Sequence, residues 1–97
     1  MANRILAADL AFFSTLASAG SLGAAARELG ITTPAVSKHL ALMEARLGLS
    51  LVNRTTRRMS LTPEGEAYLE RARRILAEID EALRILGDSL AHIVEVP

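Results

Sequence analysis

Cysteine is absent from this chain of 97 residues. That excludes disulfides, a thiol nucleophile and a thiolate metal site. No stretch approaches the roughly 20 continuous apolar residues of a membrane span. The opening residues, Met-Ala-Asn-Arg-Ile-Leu-Ala-Ala-Asp, do not form a signal peptide, because Asp9 interrupts the apolar run. A cytoplasmic protein is therefore expected. His39 and His92 stand far apart without carboxylate partners, so no zinc site is expected, and His92 reads as having no role. The sequence also lacks a nucleophile–base pair, a glycine-rich phosphate loop and carboxylates clustered near a histidine, so it does not read as an enzyme. Glu64 and Glu66 fall at a helix start, where they serve the helix dipole.

Net charge is zero over the chain but not along it. Residues 1–62 carry seven Lys/Arg (Arg4, Arg27, Lys38, Arg46, Arg54, Arg57, Arg58) against Asp9, Glu28 and Glu44, a net +4. Residues 63–97 carry four Arg against eight acids, a net −4. A nucleic acid responds to a local basic face rather than to the sum. The length suits one small domain with a modest core that relies on a partner subunit.

Residues 22–37, Leu-Gly-Ala-Ala-Ala-Arg-Glu-Leu-Gly-Ile-Thr-Thr-Pro-Ala-Val-Ser, read as a short helix, a glycine turn and the capped start of a second helix. Ala26, Gly30 and Val36 have the spacing of a helix-turn-helix. The small residue lets the helices approach, the glycine supplies a positive φ, and the apolar residue packs back on the first helix. This pattern implies DNA binding.

A helix from about Asn3 to Ser18 is predicted before this motif, with Leu6, Leu10, Phe13, Leu16 and Ala17 on one apolar stripe and Gly20 ending it. Ser21 is a good N-cap for the next helix, through Leu29. Thr33 suits the cap of the third helix and Pro34 its first position. Val36, Leu40, Met43 and Leu47 form that helix's core face, and Gly48 stops it. Over 51–62 the period changes to that of two short strands, and a ribbon placed directly after a helix-turn-helix is a wing.

Thr62-Pro63-Glu64 then opens a long helix, reaching about Ala91. Leu69, Leu76, Leu83 and Leu90 share one heptad position; Ala72, Ile79, Leu86 and Ile93 share the other. Ile75 and Ala82 widen the stripe. The first turns, with Tyr68, suit packing on the chain's own core. The remainder is too long for 62 residues to cover, which predicts a homodimer. The fold class expected is mainly α: a winged helix-turn-helix over 1–62 with a two-stranded wing, then a linker and dimerisation helix with a tail over 63–97. The expected dimerisation residues are Leu69, Ala72, Leu76, Ile79, Leu83, Leu86 and Leu90.

With Val36–Leu40–Met43–Leu47 facing inward, Pro34, Lys38, Ala41 and Ala45 point outward at 100° per residue, and Ser37 lies at the flank. A slim face of this kind suits a major groove. Lys38 can meet guanine acceptors or a phosphate. Thr32, Thr33 and Ser37 offer hydroxyls. His39, about 60° from the core direction, fits either packing or contact. Arg54, Arg57 and Arg58 concentrate charge on the wing for phosphate contact or minor-groove insertion. Arg71, Arg73, Arg74 and Arg84 sit among acids and suit ion pairs along the long helix.

From Leu10 to Arg74 the chain resembles the N-terminal region of LysR-type transcriptional regulators. The resemblance rests on Phe13, Gly20-Ser21, Ala24-Ala25-Ala26, Leu29-Gly30 and Pro34-Ala35-Val36-Ser37-Lys38. It continues through Glu44, Leu47-Gly48, Leu51, Arg54-Thr55, Arg57 and Leu61-Thr62-Pro63-Glu64-Gly65. It implies double-stranded operator DNA as partner, with Thr33, Pro34, Ser37 and Lys38 at the major groove. Arg54 and the arginines after it would lie on backbone or minor groove, with Ser21 near phosphate. Thr33 stands where glutamine or serine is common in the family, and Val52 where phenylalanine is common. The resemblance further implies that two subunits pair through the linker helix. It also implies that the chain is a DNA-binding part of a longer regulator, without cofactor here, whose small-molecule inducer acts only through an effector domain absent from this sequence.

Overall fold

The computed structural model describes residues 6–54 and 59–95, and side-chain surroundings over 7–54 and 59–88. Four helices and one small hairpin follow in the order α1 (Leu6–Ala19), α2 (Leu22–Leu29), α3 (Thr33–Leu47), β1 (Val52–Asn53), β2 (Ser60–Leu61) and α4 (Pro63–Glu95). The expected start of α1 at Asn3 lies outside the described residues.

Local chemistry sets most boundaries. Ser21 Oγ accepts the Ala24 N–H at 3.1 Å and caps α2. Gly30 ends that helix at φ 70°, where its N–H reaches the Ala26 carbonyl. Gly48 ends α3 in the same left-handed conformation, φ 72°. The α3 cap is Thr32 rather than Thr33. Thr32 has extended backbone (φ −80°, ψ 156°), and its Oγ1 accepts the Ala35 N–H at 3.2 Å. Thr33 thus begins the helix and Pro34 follows it.

Phe13, Leu16, Val36, Leu40, Met43 and Leu51 are fully buried and form the centre of the core. Burial of each large apolar side chain contributes about 1.5–3 kcal/mol. Ala25 and Ala26 are buried where α2 meets its neighbours. The T-shaped contact of Phe13 with Tyr68, 5.2 Å between ring centroids, ties α1 to α4. Leu47, expected on the core face, is 43% exposed. It is the last residue of α3, one turn beyond Met43, and the described residues cover it only in part.

β1 and β2 pair antiparallel, with Val52 opposite Leu61 and Asn53 opposite Ser60. The residues between them, 55–58, lie outside the described residues. Two contacts fix the hairpin's base. Thr62 Oγ1 donates to the Ser50 carbonyl at 2.7 Å and accepts the Gly65 N–H at 2.9 Å, so one hydroxyl both caps α4 and holds the turn before β1. Gly65 lies so close to that turn that a Cβ there would sit 2.0 Å from the Leu51 carbonyl oxygen.

α4 is 33 residues long, and the molecule extends to 61 Å. Its first turns pack on α1. Leu69 and Ala72, expected in the dimer stripe, are 7% and 0% exposed within the single chain. They are core residues, because the domain's own helices already cover that part of the stripe. Beyond them Leu76 is half-buried. Ile75, Ile79, Leu83 and Leu86 are exposed at 40%, 40%, 61% and 55%. The side chain of Leu90 lies outside the described residues.

Candidate nucleic-acid interface

α3 presents its first turns outward. Thr32, Thr33, Pro34, Ala35 and Lys38 are exposed, Ser37 is half-buried, and Ala41 and Ala45 continue the face with small side chains. Lys38 is the chain's single lysine. The hydroxyls of Ser21 and Thr32 use a lone pair for capping, and each keeps its O–H to donate to another acceptor.

A cleft of about 320 Å³ opens between the start of α2, the flank of α3 and the hairpin. Ser21, Ser37 and Arg54 meet around it, with Leu22, Leu40, Val52 and Met59 among its apolar walls. Three side chains named from separate parts of the sequence thus converge. Lys38 lies apart from them, in a groove it shares with Ala8, Ala35 and Leu42. Arg57 and Arg58 lie outside the described residues.

Two carboxylates organise the surroundings, and sequence reading assigned neither of them a role. Asp9, on α1, is 6% exposed and accepts from two groups of α3: His39 Nε2 at 3.0 Å and Arg46 Nη2 at 2.6 Å. His39 stacks on Phe12, with centroids 3.9 Å apart and the rings 16° from parallel. Its role is therefore packing between α1 and α3. It does have a carboxylate partner, contrary to expectation. Asp9 falls one turn before Phe12 and Phe13 on a buried face, and an acid there signals a partner across the fold. The same pair acts on Tyr68. Burial, then the charge of Asp9, raise its pKa above the usual 10.0, and Arg46 opposes them.

The second carboxylate is Glu44, on α3. Its Oε2 accepts the Leu51 N–H at 2.8 Å and the Val52 N–H at 3.3 Å, while Oε1 accepts from Arg54 Nη2 at 2.8 Å. On α4, Arg74 pairs with Glu70 at 3.5 Å across one helical turn. Among the described residues no three His, Cys, Asp or Glu side chains gather as a metal site, and no helix is long and apolar enough to cross a membrane.

The sequence pattern of the bacterial regulatory helix-turn-helix proteins of the lysR family matches residues 7–66, well over half of the chain. The chain belongs to the lysR family. An uncharacterized HTH-type transcriptional regulator of Mycobacterium tuberculosis is 55% identical over 75 residues, 77% of this chain and 24% of that protein. The HTH-type transcriptional regulator DmlR of Escherichia coli is 39% identical over 97 residues, the whole of this chain and 30% of that protein. The chain thus spans less than a third of the length of these lysR-type relatives. Among solved structures, the BenM DBD/catB site 1 DNA complex is similar with a TM-score of 0.84 at 26% identity, over 89% of this chain and 92% of that one. The CbnR DBD–DNA complex is similar with a TM-score of 0.72 at 37% identity, over 90% of this chain and 97% of that one. The winged helix-turn-helix expected from sequence is therefore the fold of this lysR-family chain.

Proposed function

We propose that this lysR-family chain binds double-stranded operator DNA in a sequence-specific way, as a homodimer and without catalysis. The observation that carries the proposal is the exposed start of α3 beside the cleft where Ser21, Ser37 and Arg54 converge. Small outward residues leave room for the helix to enter a major groove about 12 Å wide. Thr33, Pro34, Ser37 and Lys38 form the edge that meets the bases, with Thr32 beside them. Ser21 and Arg54 lie where the flanking phosphates would pass, and Arg57 and Arg58, which follow in sequence, would add phosphate contacts. Two solved structures of the same fold are DNA complexes, which supports the DNA-binding reading.

Residues 1–62 together with the first turns of α4 serve as the DNA-binding unit. The rest of α4 pairs two subunits through Leu76, Ile79, Leu83, Leu86 and Leu90. An isologous pair presents two recognition helices, which suits an interrupted inverted repeat with half-sites about one helical turn, or a multiple, apart.

The test selects duplexes from a random-sequence library with this chain. Their affinity is then compared with that of scrambled duplexes by fluorescence anisotropy at low and moderate salt. Enrichment of an inverted repeat, bound at least about a thousandfold more tightly than scrambled DNA, is expected. Equal affinity for all duplexes at both salts would refute the proposal.

A further inference from the structure

Arg54 is the described wing residue with the clearest opportunity to touch DNA, yet it is not a free cation. Its Nη2 is held 2.8 Å from Glu44 Oε1. Glu44 is turned into the fold, with 15% of its side chain exposed against 45% for Arg54. Its other oxygen holds two successive backbone N–H groups, Leu51 and Val52, at the entry to β1. The Glu44 backbone carbonyl also accepts from Gly48 at 2.8 Å and Leu49 at 3.3 Å. One residue of the recognition helix therefore closes the turn after that helix, anchors the first wing strand and grips the wing arginine.

Such a contact has two opposing consequences for an arginine that meets DNA. The carboxylate places a negative charge near the phosphates and weakens the general attraction. It also fixes a side chain that otherwise loses several rotamers on binding, and leaves the rest of its rigid fork of donors free. General attraction needs only charge near the backbone. Recognition of one site needs the fork at one place relative to α3.

We infer that Glu44 is a positioning residue for Arg54, so that the wing contributes to discrimination between DNA sites and not only to affinity. The inference rests on the DNA-binding reading above. It assigns a role to a residue turned away from the DNA. Glu44 sits on α3 itself, so the pairing locks the register between recognition helix and wing.

The test uses the 97-residue chain, a duplex it selects from a random-sequence library, and an unrelated duplex. Dissociation constants are measured over a salt series for the unaltered chain, E44Q, R54Q, R54K and the E44Q/R54Q pair, with circular dichroism melts alongside. Gln at 44 keeps an acceptor for the backbone N–H groups and loses the charge that grips Arg54. E44Q is expected to weaken binding to the selected duplex about 3- to 10-fold. It should leave the unrelated duplex unchanged or more tightly bound, because a negative charge has gone. In the R54Q background E44Q should add nothing. R54Q should lower the salt slope by about one unit. R54K keeps the charge but not the fork, leaves the Glu44 contacts to Leu51 and Val52 intact, and should lose the same discrimination even if E44Q fails to fold.

Unchanged discrimination in E44Q or in R54K overturns the inference, as does an equal loss from E44Q with and without Arg54, which would make Glu44 a holder of the turn alone. If the unaltered chain does not discriminate between duplexes, the DNA-binding reading itself fails and takes this inference with it.

Discussion

Replacing Gly65 with alanine tests how tightly the wing's base is pressed against α4. The added Cβ would meet the Leu51 carbonyl oxygen at 2.0 Å, its carbon at 3.0 Å and Leu61 Cβ at 3.3 Å. The first of these atoms is backbone and cannot swing aside. That same oxygen accepts the Thr62 N–H at 3.1 Å. Relieving the overlap therefore moves the carbonyl away from its donor. Overpacking costs about 1–3 kcal/mol, and loss of a hydrogen bond about 1 kcal/mol. The better helix propensity of alanine offsets up to about 1 kcal/mol. A net loss of about 2 kcal/mol remains, which for a domain of this size lowers the melting temperature by about 8–16 °C. Gly23→Ala is the matched control: it also lies in the first turn of a helix, and a Cβ there meets nothing within 4 Å. It should be neutral or stabilising. Thermal melts followed by circular dichroism, at one fixed protein concentration because association shifts the midpoint, compare the two. A Gly65→Ala protein that melts at or above the unaltered chain would refute the close approach.

Lys38→Ala should weaken binding to the selected duplex by about 1–3 kcal/mol and relax preference at one base position, with the melt unchanged; unaltered affinity and preference in titration would remove Lys38 from the interface. Thr32→Ala should cost about 1 kcal/mol in urea unfolding as the loss of a helix cap, while Thr33→Ala should stay within about 0.5 kcal/mol; equal losses would contradict the capping geometry. Leu83→Asp should sediment as a monomer and bind a single half-site weakly, since a charge would be buried in the pairing stripe; if the unaltered chain is already monomeric in analytical ultracentrifugation with its helices intact, the pairing reading is wrong. Tyr68 holds its phenol proton more tightly in the folded state than its ordinary value of 10.0, through burial first and Asp9 second. Its contribution to stability is therefore complete below pH 10.0 and declines as the pH rises through the folded value. Tyr68→Phe should flatten that alkaline decline in denaturant midpoints, and an ultraviolet titration of this single tyrosine reads the shift directly.

The elements that sequence determined are those whose cause lies within a few residues. Ser21 and Gly30 bracket α2 because a cap and a left-handed turn are local chemistry. Gly48 ends α3 for the same reason. The outward face of Pro34, Lys38, Ala41 and Ala45 follows from 100° per residue once the inward side is known. The adjacent threonines show the limit of local reading: both suit an N-cap, and only the extended backbone of Thr32 decides between them.

Tertiary structure decided what depends on residues far apart in sequence. The heptad pattern marks Leu69 and Ala72 as readily as Leu83 and Leu86, but α4 folds its first turns back on α1. That buries the first pair and leaves the second exposed. A periodic apolar stripe states that burial is required, not which surface supplies it. The pairing of Asp9 with His39 and Arg46 spans 30 and 37 positions, and no local spacing encodes it. Glu44 reads as one more helix carboxylate until the turn after Gly48 brings Leu51, Val52 and Arg54 within its reach. Gly65 stands in the sequence only as part of a motif, and the fold supplies the reason for glycine there: the Leu51 carbonyl fills the space a side chain would need. Periodicity and capping are short-range and fix the elements; which side chains meet, and which apolar faces remain for a partner, is set only when the packed helices bring distant positions together.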